Sequence, residues 1–130
     1  MIGDPHDQSM ATVLIVDGND LVRGSMRRIL ESAGHKVIEA PDIREAPSLC
    51  ALTLARTVII EVASPVEIHL ETIRQLRDEC PGAAVVALSA DGQAYLELAK
   101  KAGATDVLAK PFDDVELIDA VARGLSRQRK

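Results

Sequence analysis

The segment Thr57–Glu61 constrains the fold of this chain more than any other. Four β-branched residues lead directly into one carboxylate, Glu61. Such a run is typical of a strand that is covered on both faces, as the strands of parallel sheets are. Open parallel sheets bind their ligands just outside the carboxyl ends of the strands. The sequence therefore predicts that Glu61 lies in a functional site.

Similar apolar runs recur along the chain and alternate with segments whose apolar residues follow helical spacing. The predicted strands are 13–16, 36–40, 57–61, 83–88 and 106–109. The predicted helices are 20–33, 42–54, 67–79, 95–102 and 114–125. Alternating strands and helices predict a doubly wound α/β fold, in which a five-stranded parallel sheet carries helices on both faces.

The sequence allows two starting points for the second helix. Asp42 and Glu45 have the three-residue spacing of a capping box. Pro47 lies too deep for the first turn of a helix that is capped by Asp42. We therefore expect either a helix that begins near Ala46 or a helix that is kinked at Pro47.

The size and composition indicate one globular domain: the chain has 130 residues, 47% of them hydrophobic and 27% charged. We divide it into a flexible N-terminal segment (1–11), a domain (12–126) and a basic tail (127–130). No apolar run approaches the length of a membrane span, and the first ten residues lack the basic and apolar regions of a signal peptide. We therefore expect a cytoplasmic protein that does not bind membranes.

Several other functions are disfavoured by composition. The net charge of −5 argues against nucleic-acid binding. Cys50 and Cys80 are 30 residues apart, without the spacing of a metal site, so we predict reduced thiols in preference to a disulfide or a zinc site. We expect no metal or catalytic role for the three histidines.

Four polar side chains follow strands of the predicted sheet. Asp17 follows the first strand, Glu61 ends the third, Ser89 follows the fourth and Lys110 follows the fifth. The carboxyl ends of these strands meet at one edge of the sheet. The sequence therefore predicts a pocket that contains two acids, a hydroxyl and an amine.

Several short stretches around these positions resemble the receiver domain of bacterial two-component response regulators. They are 13–17, the proline four residues after the central acid, 87–90, 103–106 and 110–112. The resemblance covers about 12–125 and lies in the order and spacing of the stretches together. It implies the flavodoxin-like strand order 2-1-3-4-5. It also implies a cis peptide bond between Lys110 and Pro111, an isomer that proline makes accessible.

The resemblance also implies a chemistry from which this sequence departs. Receivers accept a phosphoryl group from a phosphohistidine onto an aspartate after strand three, with Mg²⁺ held by that aspartate and by an acidic pair after strand one. Glu61 stands in place of the phosphoacceptor aspartate. Gly18 stands in place of the second acid of the pair, which leaves Asp17 alone. Val107 stands where family members often carry an aromatic switch residue.

These departures weaken phosphoryl transfer in two ways. Glutamate moves the acceptor oxygen by one methylene, and a misplacement on the order of 1 Å costs about a hundredfold in rate. Mg²⁺ needs octahedral oxygen coordination with one or two carboxylates, so Asp17 and Glu61 alone predict weak or no binding. Asp20 is an alternative ligand, but we expect it to cap the first helix. No other cofactor is expected.

The longer side chain of Glu61 could reach Ser89 and Lys110 and so mimic the phosphorylated state. The other interpretation is that Glu61 is an acid in the pocket that no longer has a function. Lys110 is expected to neutralise Asp17 and Glu61, while Ser89 either joins the switch or only binds nearby backbone. Val107 is stiff about its first torsion, so the switch is expected to be locked or bypassed.

We therefore interpret the chain as an atypical single-domain response regulator, not an enzyme, that signals by protein–protein interaction. The resemblance implies a histidine kinase, a phosphotransfer protein or another response regulator as partner, and a homodimer is also open. It places candidate contact residues on two surfaces. These are Leu21, Arg23 and Met26 on the first helix, and Tyr95, Lys100, Lys101, Asp106 and Val107 on the other surface.

Two alternatives remain at this point. The first is a phosphorylatable receiver that uses Glu61 or a neighbouring acid. The second is a flavodoxin-like nucleotide or flavin binder. The chain lacks a glycine-rich phosphate loop after the first strand, which disfavours the second alternative.

Overall fold

The computed structural model describes residues 11–127 and contains five strands and five α-helices in strict alternation. The strands are β1 (Thr12–Val16), β2 (Lys36–Ala40), β3 (Thr57–Glu61), β4 (Ala84–Ser89) and β5 (Asp106–Ala109). The helices are α1 (Asp20–Ser32), α2 (Ala46–Thr53), α3 (Val66–Glu79), α4 (Gln93–Ala102) and α5 (Asp114–Arg127). A short 3-10 turn, Ile43–Glu45, precedes α2.

All neighbouring strands of the sheet are parallel, and their order is β2-β1-β3-β4-β5. The predicted fold class and strand order are confirmed. The order places β1 and β3 side by side at the centre, with Val16 opposite Ile60 in the register. Asp17 and Glu61, the next residues on these two strands, therefore emerge next to each other at the carboxyl edge.

Alternate residues of the central strands enter two separate cores. Val13, Ile15 and Ile59 face α1 and α5, whereas Leu14 and Ile60 face α2, α3 and α4. All five side chains are fully buried, and burial of each such side chain contributes about 1.5–3 kcal/mol. Burial on both faces explains why these strands read as unbroken apolar runs. It also makes the sheet a rigid support for the loops at its carboxyl edge.

The helix starts differ in detail from the sequence prediction. Asn19, and not Asp20, caps α1: its side-chain oxygen accepts hydrogen bonds from the backbone N–H groups of Leu21 and Val22, both at 3.0 Å. The α2 helix begins at Ala46, which is one of the two predicted alternatives. The Asp42 carboxylate instead caps the 3-10 turn, so the proline stays within the first turn of the helix.

Residues 1–10 and 128–130 lie outside the described residues, and with them lies nearly all of the predicted N-terminal segment and basic tail. Within residues 11–127, no helix combines the length and the apolar character that crossing a membrane requires.

Candidate functional site

Glu61 and Lys110 form an ion pair at the carboxyl edge of the sheet. The Nζ atom of Lys110 donates to Oε1 of Glu61 at 2.7 Å. The two side chains are 26% and 20% exposed, so solvent screens their attraction less than it would on an open surface. The structure therefore brings together two residues that are 49 positions apart in the sequence.

Asp17 lies beside this pair and is 7% exposed. Its Oδ1 atom accepts a hydrogen bond from the backbone N–H of Asn19 at 2.8 Å. Its Oδ2 atom is buried and has no hydrogen-bond partner among the described residues. Burial raises the pKa of Asp17; the hydrogen bond from Asn19 opposes this, the Glu61 carboxylate raises the pKa further, and Lys110 lowers it. Burial therefore disfavours the charged form of the Asp17 carboxyl group.

Ser89 does not join the ion pair. Its hydroxyl donates to the carbonyl oxygen of Val62 at 2.8 Å and accepts from the backbone N–H of Asp91 at 3.1 Å. The residue is 1% exposed. In this conformation the hydroxyl binds nearby backbone and fixes the loop that follows β4.

A cavity of about 550 Å³ opens next to the two acids. Its walls come from the loops that follow β1, β2 and β3 and from the first turn of α3. The lining residues are Val16, Asp17, Gly18, Asn19, Pro41, Asp42, Ile43, Ile60, Glu61, Ala63, Ser64 and His69. Sequence reasoning missed Asn19, Asp42, Ser64 and His69 as parts of this wall. Their positions just after strands, or one turn into the next helix, were the available signal.

Gly18 lines the cavity but is not required by the backbone. A Cβ atom built at this position would meet only the carbonyl oxygen of Pro41, at 3.7 Å, which is an ordinary van der Waals contact. An aspartate side chain therefore has room to start from this position. The missing second acid reflects the sequence and not a steric limit of the fold.

The carboxylates present supply only part of a magnesium site. Oδ2 of Asp17 has no hydrogen-bond partner among the described residues but is buried. Glu61 is paired with Lys110, and Gly18 has no side chain that could bind a metal. Asp20, the alternative ligand, accepts a hydrogen bond from Arg23 at 2.8 Å, and its side chain is 86% exposed. Within residues 11–127, no group of three or more His, Cys, Asp or Glu side chains is placed to hold a metal.

Arg23 supports the site from inside the fold. Its guanidinium donates to the backbone carbonyl of Asp17 at 2.6 Å, to Glu39 at 2.6 Å and to Asp20 at 2.8 Å. Arg23 is only 9% exposed. Its polar atoms are turned inward to three acceptors, and its role as a partner contact stays a prediction. Arg23 holds the loop between β1 and α1.

Met26 is 3% exposed and packs in the core beneath α1, and its role as a partner contact also stays a prediction. Leu21 is 85% exposed. The two residues are five positions apart, which corresponds to about 140° around a helix axis. They cannot belong to one exposed face. Of the three contact residues predicted on α1, Leu21 is the one that is exposed.

The second predicted surface contains both engaged and exposed residues. The Tyr95 hydroxyl lies 2.8 Å from the Ser64 hydroxyl, which ties α4 to the loop after β3. Asp106 accepts a hydrogen bond from Arg123 at 2.7 Å. Val107 is half-buried and packs against the core, while Lys100 and Lys101 are exposed.

The Lys110–Pro111 peptide bond is cis, and so is Ser64–Pro65, which was not predicted.

The sequence profile of the response regulator receiver domain matches residues 13–122. The chain therefore belongs to the receiver domain family of two-component response regulators, whose members are signal-transduction modules.

Relatives agree with this assignment. The chain is 38% identical over 117 residues to the response regulator MprA of Mycolicibacterium vanbaalenii, a match that covers 89% of this chain and 50% of MprA. It is 30% identical over 116 residues to protein CcdB of Bacillus subtilis, covering 88% of this chain and 97% of CcdB. The chain thus spans about half the length of MprA and nearly all of CcdB.

A solved structure shows the same architecture. A response regulator from Thermotoga maritima superposes with a TM-score of 0.81 at 31% identity, and the match covers 90% of this chain and 98% of the other. The family and the fold of this chain are therefore established together.

Proposed function

We propose that this chain is an atypical receiver that acts in signal transduction through protein–protein contacts, without conventional phosphorylation of an aspartate. The observation that carries the proposal is the Glu61–Lys110 ion pair. It occupies the position where receivers hold the phosphoacceptor and its lysine. The protein would act in the cytoplasm, with a histidine kinase, a phosphotransfer protein or another response regulator as partner, or as a homodimer.

Positioning is the first argument against phosphoryl transfer to Glu61. The attacking oxygen must lie in line with the donor, and misplacement on the order of 1 Å costs about a hundredfold in rate. The extra methylene of glutamate displaces the carboxylate by about this amount. Oε1 is also engaged with Lys110 at 2.7 Å, so an incoming donor would compete with an existing charge-assisted hydrogen bond.

Charge is the second argument. A metal ion normally offsets the negative charge that develops during phosphoryl transfer. Asp17 is the one acid of the site with an unpartnered buried oxygen, and with Gly18 beside it no acidic pair exists. We therefore propose that Mg²⁺ binds weakly or not at all.

The same ion pair supports partial mimicry of the phosphorylated state. Glu61 supplies a negative charge to Lys110, as a phosphoryl group would. Ser89 is not drawn toward that charge, because its hydroxyl donates to Val62. Val107 offers no aromatic ring to swing inward. We therefore propose that the chain holds one conformation, in which Glu61 neutralises Lys110 and the conformational switch of the family is incomplete.

A phosphorylatable receiver is the second candidate, and a specific observation favours it. Asp17 lines a cavity of about 550 Å³, and its buried Oδ2 atom has no hydrogen-bond partner among the described residues. Asp17, and not Glu61, would then be the neighbouring acid that accepts the phosphoryl group. A nucleotide or flavin binder is less favoured, because acids line this cavity and would repel phosphate groups.

Labelling with a small phosphodonor distinguishes these candidates. The repaired variant carries Gly18→Asp and Glu61→Asp. It and the native chain would be incubated with acetyl phosphate and Mg²⁺, and the masses of the intact proteins would then be measured by mass spectrometry. The proposal expects a phosphoryl adduct, about 80 Da, on the repaired variant only. The repaired variant with Asp17→Asn serves as the matched control for metal binding. An adduct on the native chain would contradict the proposal, and fragmentation of the modified peptide would show which acid carries it.

A further inference from the structure

A second cavity lies at the opposite edge of the sheet, near the amino ends of the strands. Its volume is about 340 Å³, and Cys50 and Cys80 both line it. Cys50 belongs to α2, and Cys80 follows the last residue of α3. Thirty positions apart in the sequence, the two cysteines gave no signal of pairing. The fold brings them to one place that is remote from the Glu61–Lys110 pair.

The contacts of the two sulfur atoms place them against the same helix face. Sγ of Cys80 lies 3.6 Å from the carbonyl oxygen of Pro47. Pro47 is three residues before Cys50, so it lies on the same face of α2, one turn away. Sγ of Cys50 lies 3.8 Å from the carbonyl oxygen of Ala55. Burial, together with the smaller effect of the neighbouring Cys80 thiol, raises the pKa of the Cys50 thiol to about 12.

The two thiols differ in access. Cys50 is 2% exposed, whereas Cys80 is half-buried at the edge of the cavity. Both are free thiols in the structure. Within residues 11–127, no third histidine, cysteine or acid is placed to complete a metal site with them. Their chemistry is therefore that of an adjacent dithiol and not of a metal centre.

We propose that Cys50 and Cys80 are an oxidisable pair that a peroxide converts into a disulfide between α2 and the end of α3. Cys80, the accessible thiol, attacks one peroxide oxygen as its thiolate. The O–O bond breaks, the other oxygen leaves as an alcohol or water, and Cys80 becomes a sulfenic acid. The sulfur of Cys50 then attacks the sulfur of Cys80, and its proton leaves with the displaced hydroxide as water. The pair loses two electrons and two protons to the peroxide.

The disulfide would tie together two helices on one face of the sheet. It closes a loop that contains β3 and therefore Glu61, and crosslinks of this length restrict the unfolded chain strongly. The oxidised chain is expected to melt several degrees above the reduced chain. Burial of Cys50 makes its step slow, so the site responds to sustained oxidation and not to brief exposure.

Hydrogen peroxide is the probe that tests this pairing. The reduced chain would be oxidised, denatured and treated with N-ethylmaleimide, and then weighed intact and after tryptic digestion. The expected product is monomeric, about 2 Da lighter through loss of two hydrogens, and takes up no maleimide until dithiothreitol is added. Trypsin should release 45–56 linked to 78–100.

Single variants supply the control. In Cys50→Ser, Cys80 should remain as a thiol or an oxygenated sulfur, with no loss of 2 Da and no rise in melting temperature. Native protein that keeps both thiols, carries only added oxygen on Cys80, or forms only disulfide-linked dimers would overturn the proposal. If a variant fails to fold, the peptide map of the native chain decides the question alone.

Discussion

The residue that most distinguishes this receiver is Glu61, and its effect depends on Lys110. Glutamate at the end of β3 is long enough to reach the amine at 2.7 Å. This satisfies both charges but leaves Asp17 with a buried, unpartnered oxygen. Within this site, the unsatisfied buried oxygen therefore belongs to Asp17.

Removal of the Lys110 charge should destabilise the protein. In Lys110→Met, Glu61 loses the cation that pairs with it and Asp17 loses the same nearby positive charge, so we expect stability to fall by about 1–3 kcal/mol in urea unfolding at pH 7. Adding Glu61→Gln should restore most of the loss, because it removes the uncompensated charge. A double variant as unstable as Lys110→Met would show that packing, and not charge, explains the effect.

Neutralisation of Asp17 should stabilise the protein at neutral pH. A raised pKa means that stability is greatest with Asp17 protonated, below its unfolded value of 3.8, and falls as the pH rises through the folded value. Asp17→Asn should therefore be more stable than the native chain at pH 7, with a gain that shrinks toward pH 4. The exposed substitution Asp119→Asn changes the net charge equally and should give no such gain. Equal or lower stability of Asp17→Asn at pH 7 would contradict the assigned cause.

The orientation of single side chains was the least predictable part of the site. The sequence indicated that Glu61, Lys110, Ser89 and Asp17 share one edge, because the ends of parallel strands converge there. It left open whether Ser89 turns to the pocket or to the backbone, since this choice depends on where the carbonyl of Val62 points.

At the scale of elements, the strands and most helices followed from the sequence. Unbroken apolar runs such as 57–60 mark strands that are covered on both faces, and helical spacing marks the rest. Asp20 was mistaken for the cap of α1 because Asn19 and Asp20 are both good capping residues in adjacent positions. Arg23 was mistaken for a surface residue because its acceptor Glu39 lies on β2, which is 16 residues away.

The hydroxyl pair Tyr95–Ser64 couples two elements beside the site. Its distance of 2.8 Å joins α4 to the loop whose Ser64 lines the acidic cavity. The sequence gave no indication of this contact between residues that are 31 positions apart. This hydrogen bond is one connection between the cavity and α4.

Loss of this hydrogen bond should loosen the loop. In Tyr95→Phe, we expect a small loss of stability, about 0.5–1 kcal/mol, and faster amide hydrogen exchange in 62–66. Ser64→Ala should have the same effect, and the double variant should be no worse than either single one, because both remove one interaction. Additive effects would show that the two hydroxyls act independently.

At the scale of the molecule, the receiver family and its fold are established, and we propose that Gly18, Glu61 and Val107 set this chain apart from the family pattern. The rigid sheet holds the Glu61–Lys110 pair, and Leu21, Lys100 and Lys101 are exposed. Under the proposed function these three residues contact partners, and the neutralised lysine holds one conformation without a phosphoryl group. The output of the chain would then depend on its abundance and on its partners.

The most direct test is a titration of the isotopically labelled chain with beryllofluoride, which imitates a phosphoryl group, in the presence of Mg²⁺, followed by amide NMR. We expect no shifts around Asp17, Glu61 and Lys110 in the native chain, and clear shifts there and in α4 in the Gly18→Asp, Glu61→Asp variant. Saturable shifts in the native chain that match those of the repaired variant would contradict the account, because they would show a pocket that still accepts a phosphoryl group and still switches.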